Sequence, residues 1–305
     1  MTQHTTTTMT THHFRIAGHY VKITFKESSY NSMRLLPSFL PFQTKPSSDT
    51  PLFTLTIDDA TPPVEKQLRQ RVRDFDTGNG DTIVDIITTG GYQFIVKDTQ
   101  AKSCALLIAN EDFSEVKCAL NGNMDMRRFG LNNVLMMTYA FAGSLHQTLL
   151  IHASLVRHNE RGYAFIAKSG TGKSTHTSLW LRYIPDCDLM NDDNPVIRII
   201  DGQPFIYGSP WSGKTPGYRN IKAKLGAITR IDRAQANSIE RLRPVEAFTS
   251  LLPSCSSMKW DKRLYRAMGD TVTRIIETTP IYTLHCLPDE EAAIICHKEI
   301  TKNKR

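Results

Sequence analysis

A glycine-rich stretch, AKSGTGKST over residues 167–175, has the residue types and spacing of a phosphate-binding loop. Gly170 and Gly172 allow the backbone to turn tightly and to direct successive N–H groups at one point. A helix that begins directly after the loop adds the positive end of its dipole. Together these features form a nest of donors that suits phosphate groups. The residues that we expect to contact the nucleotide phosphates are Ser169, Gly170, Thr171, Gly172, Lys173, Ser174 and Thr175.

The lysine and the serine that close the loop have separate predicted tasks. Lys173 is expected to reach the β- and γ-phosphates of ATP. The Ser174 hydroxyl is expected to bind Mg²⁺, whose other ligands are mostly water and phosphate. The general pattern G-x-x-x-x-G-K-[ST] has glycine where this chain has Ala167, but alanine adds only one methyl group, so we expect the loop to form. The alternative is an ordinary glycine-rich turn without a ligand.

Two adjacent carboxylates, Asp192 and Asp193, follow Ser174 by 18 and 19 residues, at the end of a short apolar segment. Carboxylates placed in this way can divide the work of phosphoryl transfer. One can hold Mg²⁺, directly or through water, and the other can accept a proton from an attacking hydroxyl. The alternative is a polar turn, because N-D-D-N-P is also a favourable turn sequence.

A histidine, His152, lies in the otherwise apolar segment TLLIHASLV (148–156), 21 residues before Lys173. We expect this segment to form one strand antiparallel to the strand that enters the loop. The hairpin would bring one end of that strand back beside the phosphate loop. His152 is therefore a candidate catalytic residue, and the alternative is a core histidine whose hydrogen bonds are satisfied.

The elements that must position these residues form an alternating pattern over residues 149–305. YAFIA predicts the strand that enters the loop, KSTHTSLWLRYI a helix, and CDLM a short strand before the two aspartates. Later segments predict further strands and a closing helix around DEEAAIICHKEI. We expect an α/β (α+β) domain with a mixed sheet.

The first half of the chain predicts a β-rich module over residues 14–125 with no obvious chemistry. FRIAGHYVKITF and LFTLTI have the composition of strands, and VEKQLRQRVRDF (64–75) predicts a short helix. Crowded apolar residues at a helical period predict a connecting helix over 126–148. The polar, threonine-rich start predicts a disordered tail over 1–13.

Composition restricts the class of protein. The 305 residues carry 37 lysines and arginines against 30 acidic residues, and the excess is diffuse, so nucleic acid is not the expected partner. The six cysteines form no C-x-x-C pair, which argues against a zinc site and favours reduced thiols. Neither a signal peptide nor an apolar stretch of membrane-spanning length is apparent. We therefore expect a soluble cytoplasmic protein.

The order of these motifs resembles the catalytic domain of bacterial HPr kinase/phosphorylase and, more distantly, the nucleotide site of phosphoenolpyruvate carboxykinase. The resemblance lies in H-A-S, A-K-S-G-T-G-K-S and N-D-D, between His152 and Trp211. It implies a P-loop domain with the mixed sheet of that type, ATP and Mg²⁺ as cofactors, and a homo-oligomer. It further implies that His152 assists the chemistry, that Asp193 is the base for a substrate serine, and that Asp192 supports the base and the metal.

One segment departs from this pattern. Phe205 stands where those kinases have an acidic Mg²⁺ ligand. The segment GSPWSGKTPGYRN (208–220), which begins three residues after Phe205, carries Lys214 and Arg219, which are candidates to supply positive charge at the γ-phosphate. The alternative for this segment is a rigid surface loop with one buried tryptophan.

The function predicted from the sequence is an ATP- and Mg²⁺-dependent kinase that transfers the γ-phosphoryl group to a serine-type hydroxyl of a protein, a peptide or a small molecule. One alternative is a nucleotide-binding regulatory or scaffold module without phosphoryl transfer. A carboxykinase-like enzyme is the third hypothesis.

Overall fold

In a computed structural model of the chain, residues 8–76, 80–213 and 217–302 are described. The chain divides into two compact units, Met1–Ala142 and Gly143–Arg305. Each unit is built on its own mixed β-sheet, so the α/β class with mixed sheets is confirmed. None of the helices in the described ranges is both long and apolar enough to cross a membrane.

The first unit contains an eight-stranded sheet with the order β1-β2-β3-β8-β7-β6-β5-β4. Its neighbours are antiparallel except that β3 runs parallel to both β2 and β8. The sheet is followed by helix α1, Met124–Ser144, whose Phe141 ring contacts Phe94 and Phe113. The strands are β1 Met9–Ile16, β2 His19–Lys26, β3 Phe53–Ile57, β4 Arg69–Asp76, β5 Asp81–Ile87, β6 Tyr92–Lys97, β7 Ser103–Ala109 and β8 Glu115–Leu120.

Two sequence-based expectations for this unit are wrong. Residues 9–13 of the expected tail belong to β1, where every residue pairs with β2 and Thr11 is hydrogen-bonded to Thr24 across the strands at 2.9 Å; residues 1–7 lie outside the described ranges. The expected helix over 64–75 is a 3₁₀ turn, Lys66–Leu68, followed by β4. β4 is held in the sheet because Arg69 and Arg71 both bind the buried carboxylate of Asp85 on β5.

The second unit contains a nine-stranded sheet with helices on both faces. The strand order is β12-β10-β11-β15-β14-β13-β9; β17 also pairs with β15, and β16 with β17. Three of these strands, β11, β15 and β17, run parallel. The elements are β9 Thr148–Leu150, β10 Ala153–His158, β11 Arg161–Ile166, α2 Lys173–Tyr183, β12 Cys187–Asp193, β13 Val196–Ile200, β14 Gln203–Tyr207, β15 Lys222–Arg233, β16 Ser238–Arg241, α3 Pro244–Leu251, α4 Lys262–Thr278, β17 Ile281–Cys286 and α5 Glu290–Ile300.

Alternation along β11 explains how the sheet carries a helical layer on each face. Ala164 and Ile166 pack in a buried cluster with α3 and α4, whereas Tyr163 and Phe165 pack with Trp180 of α2 and with α5. Because β11, β15 and β17 are neighbours that run in the same direction, their carboxyl ends lie at one edge of the sheet. The loop before α2 follows β11 and lies at this edge. Ligands of open α/β sheets bind at such edges.

The segment 148–156 differs from the single strand that we expected. It forms two strands, β9 and β10, which lie at different positions in the sheet. Between them Ile151 forms a bridge to Cys255, and the His152 amide donates to the Ser254 carbonyl at 2.7 Å. His152 thus occupies a break rather than the middle of a strand, and β10 pairs antiparallel with β11 as expected.

Candidate active site

The loop between β11 and α2 has the backbone of a ligand-binding turn. Gly170 has φ +76° and Gly172 has φ +128°, conformations that residues with a Cβ rarely adopt. Gly172 is the N-cap of α2. No side chain of the described residues accepts a hydrogen bond from the amides of the first turn, so these amides are available to a ligand. These amides and the helix dipole are suited to an anion.

A residue that the sequence did not single out, Arg233, holds the loop. It is the last residue of β15, and its guanidinium donates to the Thr171 carbonyl at 2.9 Å and to the Gly170 carbonyl at 2.5 Å. Because the loop carbonyls are bound on this side, the loop has a fixed orientation. In the sequence Arg233 is marked only as an arginine at the end of a strand, and its contact with the loop depends on the position of β15 beside β11.

The structure brings three of the predicted catalytic residues into one hydrogen-bonded chain. Lys173 Nζ lies 2.8 Å from His152 Nε2 and donates to the Ala167 carbonyl at 3.2 Å. His152 Nδ1 lies 3.1 Å from Asp193 Oδ1. A lysine ammonium can only donate, so Nε2 accepts and the proton of a neutral His152 is assigned to Nδ1, which donates to Asp193.

Lys173 is a cation in a largely dehydrated place, since only 8% of its surface is exposed. Burial lowers the pKa of its ammonium, while the carboxylates of Asp193 and Asp192 oppose that shift. An anion bound in the loop would supply charge compensation that the present neighbours provide only in part.

The second aspartate, Asp192, lies apart from this chain and binds two hydroxyl groups. Ser174 Oγ donates to Asp192 Oδ1 at 3.0 Å, and Ser154 Oγ donates to the same oxygen. Ser154 is directly opposite Asp192 in the pairing of β10 with β12, and both residues are buried. Ser154 was missed as a site residue, although it is the serine of the H-A-S motif.

The two aspartates belong to β12 rather than to a free polar turn. The backbone at Asp193 has φ 155°, in a region that residues with side chains rarely adopt and that is enriched at functional sites. It is held there by a bridge to Ser212 and by a hydrogen bond from the Gly213 amide to the Asp192 carbonyl. Asn194 Nδ2 donates to Asp193 Oδ2 at 2.7 Å, so both carboxylate oxygens have a donor.

Asn191 and Asn194, which flank the two aspartates, stabilise this arrangement through hydrogen bonds. Asn191 is fully buried; its Nδ2 donates to the carbonyls of Ser209 and Trp211, and its Oδ1 accepts from the Asn194 amide at 3.0 Å. The Ser209 hydroxyl, also fully buried, donates to the Asn194 carbonyl at 2.6 Å. The segment around Trp211 therefore fixes the end of β12, which is a structural role for part of GSPWSGKTPGYRN.

The structure does not bring Arg219 to the phosphate loop. Its guanidinium binds the carboxylate of Asp188 at 2.6 Å, together with Arg157, and also the Leu189 carbonyl. Asp188 is four residues before Asp192 on β12, about 13 Å along the strand. Lys214 lies outside the described residues. The ring of Phe205 lies under the ammonium of Lys222 at 3.8 Å and offers no ligand for a metal.

A cavity of about 510 Å³ lies beside the loop, between the first turns of α2 and the carboxyl ends of β15 and β17. Its walls are mainly apolar, and no carboxylate side chain lines it. The Leu287 amide at its rim is bound by Asn237 Oδ1 at 2.8 Å, which fixes that wall. The lining residues are Thr171, Gly172, Thr175, His176, Leu179, Ile231, Arg233, Ala234, Cys286, Leu287 and Pro288.

No protein-family model matches the chain, and no curated protein matches it either.

Proposed function

We propose that the chain is an ATP- and Mg²⁺-dependent kinase, similar to the HPr kinase catalytic domain, that transfers the γ-phosphoryl group to a serine-type hydroxyl. The observation that carries this proposal is the hydrogen-bonded chain Lys173–His152–Asp193 beside an uncapped helix N-terminus. It places Lys173, which can bind a phosphate, in the same hydrogen-bonded chain as Asp193, which can accept a proton. Phosphoryl transfer depends mostly on such positioning and on charge neutralisation.

The phosphates of ATP are assigned to the loop. The free amides of the first turn of α2 would donate to phosphate oxygens, and Lys173 Nζ lies at the start of the same turn. The buried ammonium would exchange its contact with His152 for the stronger charged contact with a phosphate. His152 would then keep its hydrogen bond to Asp193 and hold that carboxylate in place.

Asp193 is proposed to accept the proton of the attacking hydroxyl. Its side chain is 36% exposed, which leaves it accessible to an acceptor molecule. The donors His152 Nδ1 and Asn194 Nδ2 fix its orientation without neutralising it, so the carboxylate can take the proton as the oxygen–phosphorus bond forms. The acceptor oxygen thereby becomes a phosphate ester and ADP leaves.

Ser174 and Asp192 fit a Mg²⁺ site that is completed by phosphate and water. Their oxygens lie 3.0 Å apart at the start of α2. Mg²⁺ at phosphate sites is usually held by one or two protein ligands together with phosphate oxygens and water. When bound there, the ion would neutralise charge on the phosphates. Ser154 would orient Asp192 through its hydrogen bond.

The nucleoside of ATP is assigned to the 510 Å³ cavity, which continues from the loop along Thr175 and Leu179. Apolar walls suit a purine ring. Because no carboxylate side chain lines the cavity, the N1–H and N2–H₂ donors of guanine would find no charged acceptor there. This feature favours ATP over GTP.

Incubation of the chain with γ-labelled ATP and a cell extract tests the proposal. Label on a serine hydroxyl of a protein, a peptide or a small molecule is the expected outcome, and Lys173→Ala should abolish it. Saturable ATP binding without label on any acceptor would instead indicate a nucleotide-binding regulatory or scaffold module. A coupled assay with oxaloacetate and ATP tests the carboxykinase hypothesis separately.

A further inference from the structure

A second cavity, of about 280 Å³, lies at the edge of the sheet opposite the phosphate loop. It is lined by Arg161, the first residue of β11, and by Arg241, the last residue of β16. β11 runs from this cavity to the phosphate loop, a distance of about 20 Å for its six residues. A small molecule could not reach both places at once.

The floor of the cavity contains two phenol groups. Tyr163 and Tyr282 are each 3% exposed and line the cavity. Within the part of the chain that the structure describes, neither hydroxyl has a hydrogen-bond partner. Burial raises the pKa of both phenols, so at neutral pH each is a protonated donor. Neither phenol oxygen belongs to the fully buried side-chain atoms that lack a partner, so both hydroxyls are accessible from the cavity and can donate to a ligand there.

The shape of the cavity depends on a glycine. A Cβ at Gly226 would lie 2.7 Å from Cε1 and 2.9 Å from Cζ of Tyr163. The pairing of β11 with β15 shifts register beside Gly226, between Gly162 and Tyr163. Because Gly226 has no side chain, the Tyr163 ring can lie against its backbone and form part of the cavity wall.

The charge of the cavity is positive. Arg161 and Arg241 have no acidic partner in the described ranges. The third cation of the lining, Lys302, is paired with Glu299. Arg161 is two residues before Tyr163 on β11, so both side chains are on the same face of the sheet. Arg241 is directly opposite Tyr282 in the pairing of β16 with β17. Two arginines and two phenols thus present donors to the same small space.

We propose that this cavity is a second binding site, for a small polyanion with two phosphate or carboxylate groups. Guanidinium groups bind such anions through paired N–H donors, and the phenols add neutral donors. The volume of about 280 Å³ lies just below the usual range for ligand pockets, about 300–1,000 Å³, so it suits a small metabolite rather than a nucleotide. The site is independent of the proposed kinase activity.

Calorimetric titration of the full chain with pyrophosphate, and separately with citrate, tests the proposal in the absence of divalent metal. Pyrophosphate should bind wild-type protein at two sites. Lys173→Ala should weaken one of them, and the double variant Arg161→Gln/Arg241→Gln should weaken the other at least tenfold. The matched control is Arg266→Gln, which should bind like wild type. Arg266 is an exposed residue of α4, about 18 Å along the helix from Thr278, which lines the cavity.

A milder pair of substitutions keeps the test valid if loss of both arginines unfolds the chain. Tyr163→Phe/Tyr282→Phe removes only the hydroxyls and should weaken the same site several-fold. Tighter binding of pyrophosphate than of citrate identifies phosphate as the recognised group, and the reverse identifies carboxylate. A single pyrophosphate site that Lys173→Ala removes, with no citrate binding, would overturn the proposal. So would a double arginine variant that binds both probes like Arg266→Gln.

Discussion

Substitution of Arg233 tests whether the phosphate loop is held in place from behind. The guanidinium makes two hydrogen bonds to loop carbonyls, at 2.9 and 2.5 Å. Hydrogen bonds from charged donors contribute about 1.5–3 kcal/mol each when they are buried. Because Arg233 is exposed, solvent screening reduces this to about 0.5–1 kcal/mol each. We therefore expect Arg233→Ala to weaken ATP binding by about 1–2 kcal/mol, roughly 5- to 30-fold.

Equilibrium binding of ATP and of inorganic tripolyphosphate provides the assay. Since the loop holds the phosphates, tripolyphosphate should lose affinity as ATP does, and any additional loss for ATP measures the separate contact of Arg233 with the nucleoside cavity. Arg233→Lys keeps the charge but not the two-pronged donor, so it should restore only part of the affinity. Arg182→Gln, on an exposed arginine in the last turn of α2, is the control. A dissociation constant within twofold of wild type for Arg233→Ala would refute the role of this contact, and full recovery in Arg233→Lys would show that charge alone matters.

Three further predictions concern burial. Lys173→Met should raise the free energy of unfolding near neutral pH by about 0.5–1 kcal/mol in chemical denaturation, because it removes a cation whose folded pKa is lowered by burial; the exposed Lys168→Met should have no such effect. Burial lowers the pKa of His176 to about 4. The free energy of unfolding should therefore be highest above pH 6.5 and should decrease by roughly 3 kcal/mol as the pH falls toward 4. His176→Gln should remove this decrease from the stability curve. Ala234→Trp should fill the nucleoside cavity and weaken ATP binding at least tenfold while tripolyphosphate binding stays unchanged; equal loss for both ligands would contradict the assignment of the cavity.

Local patterns were sufficient for the elements that enclose the phosphate loop. The segment that enters the loop has strand composition, and the glycines with positive φ and the helix after them follow from short-range sequence. The aspartate pair could be placed at a strand end for the same reason. In each of these cases the residues that decide the structure are neighbours in the chain.

The remaining features depend on partners distant in the sequence. Residues 64–75 have a helical composition, but Asp85 provides a buried carboxylate for Arg69 and Arg71, and the pairing with β5 prevails. Arg219 was a candidate for the phosphates because of its position in a glycine-rich segment, and Asp188 binds it instead. The contacts of Arg233 and Ser154 depend on the sheet order, which places β15 beside β11 and β12 beside β10.

The proton-accepting role of Asp193 is tested most directly by comparing ATP binding with phosphoryl transfer in Asp193→Asn. The amide keeps the shape of the side chain but cannot take a proton, and it lies outside the loop that would hold the phosphates. We predict that Asp193→Asn binds ATP within about twofold of wild type and transfers no measurable label from γ-labelled ATP to a hydroxyl acceptor. Lys173→Ala should lose both properties. Full transfer by Asp193→Asn would contradict the proposed function at its central step.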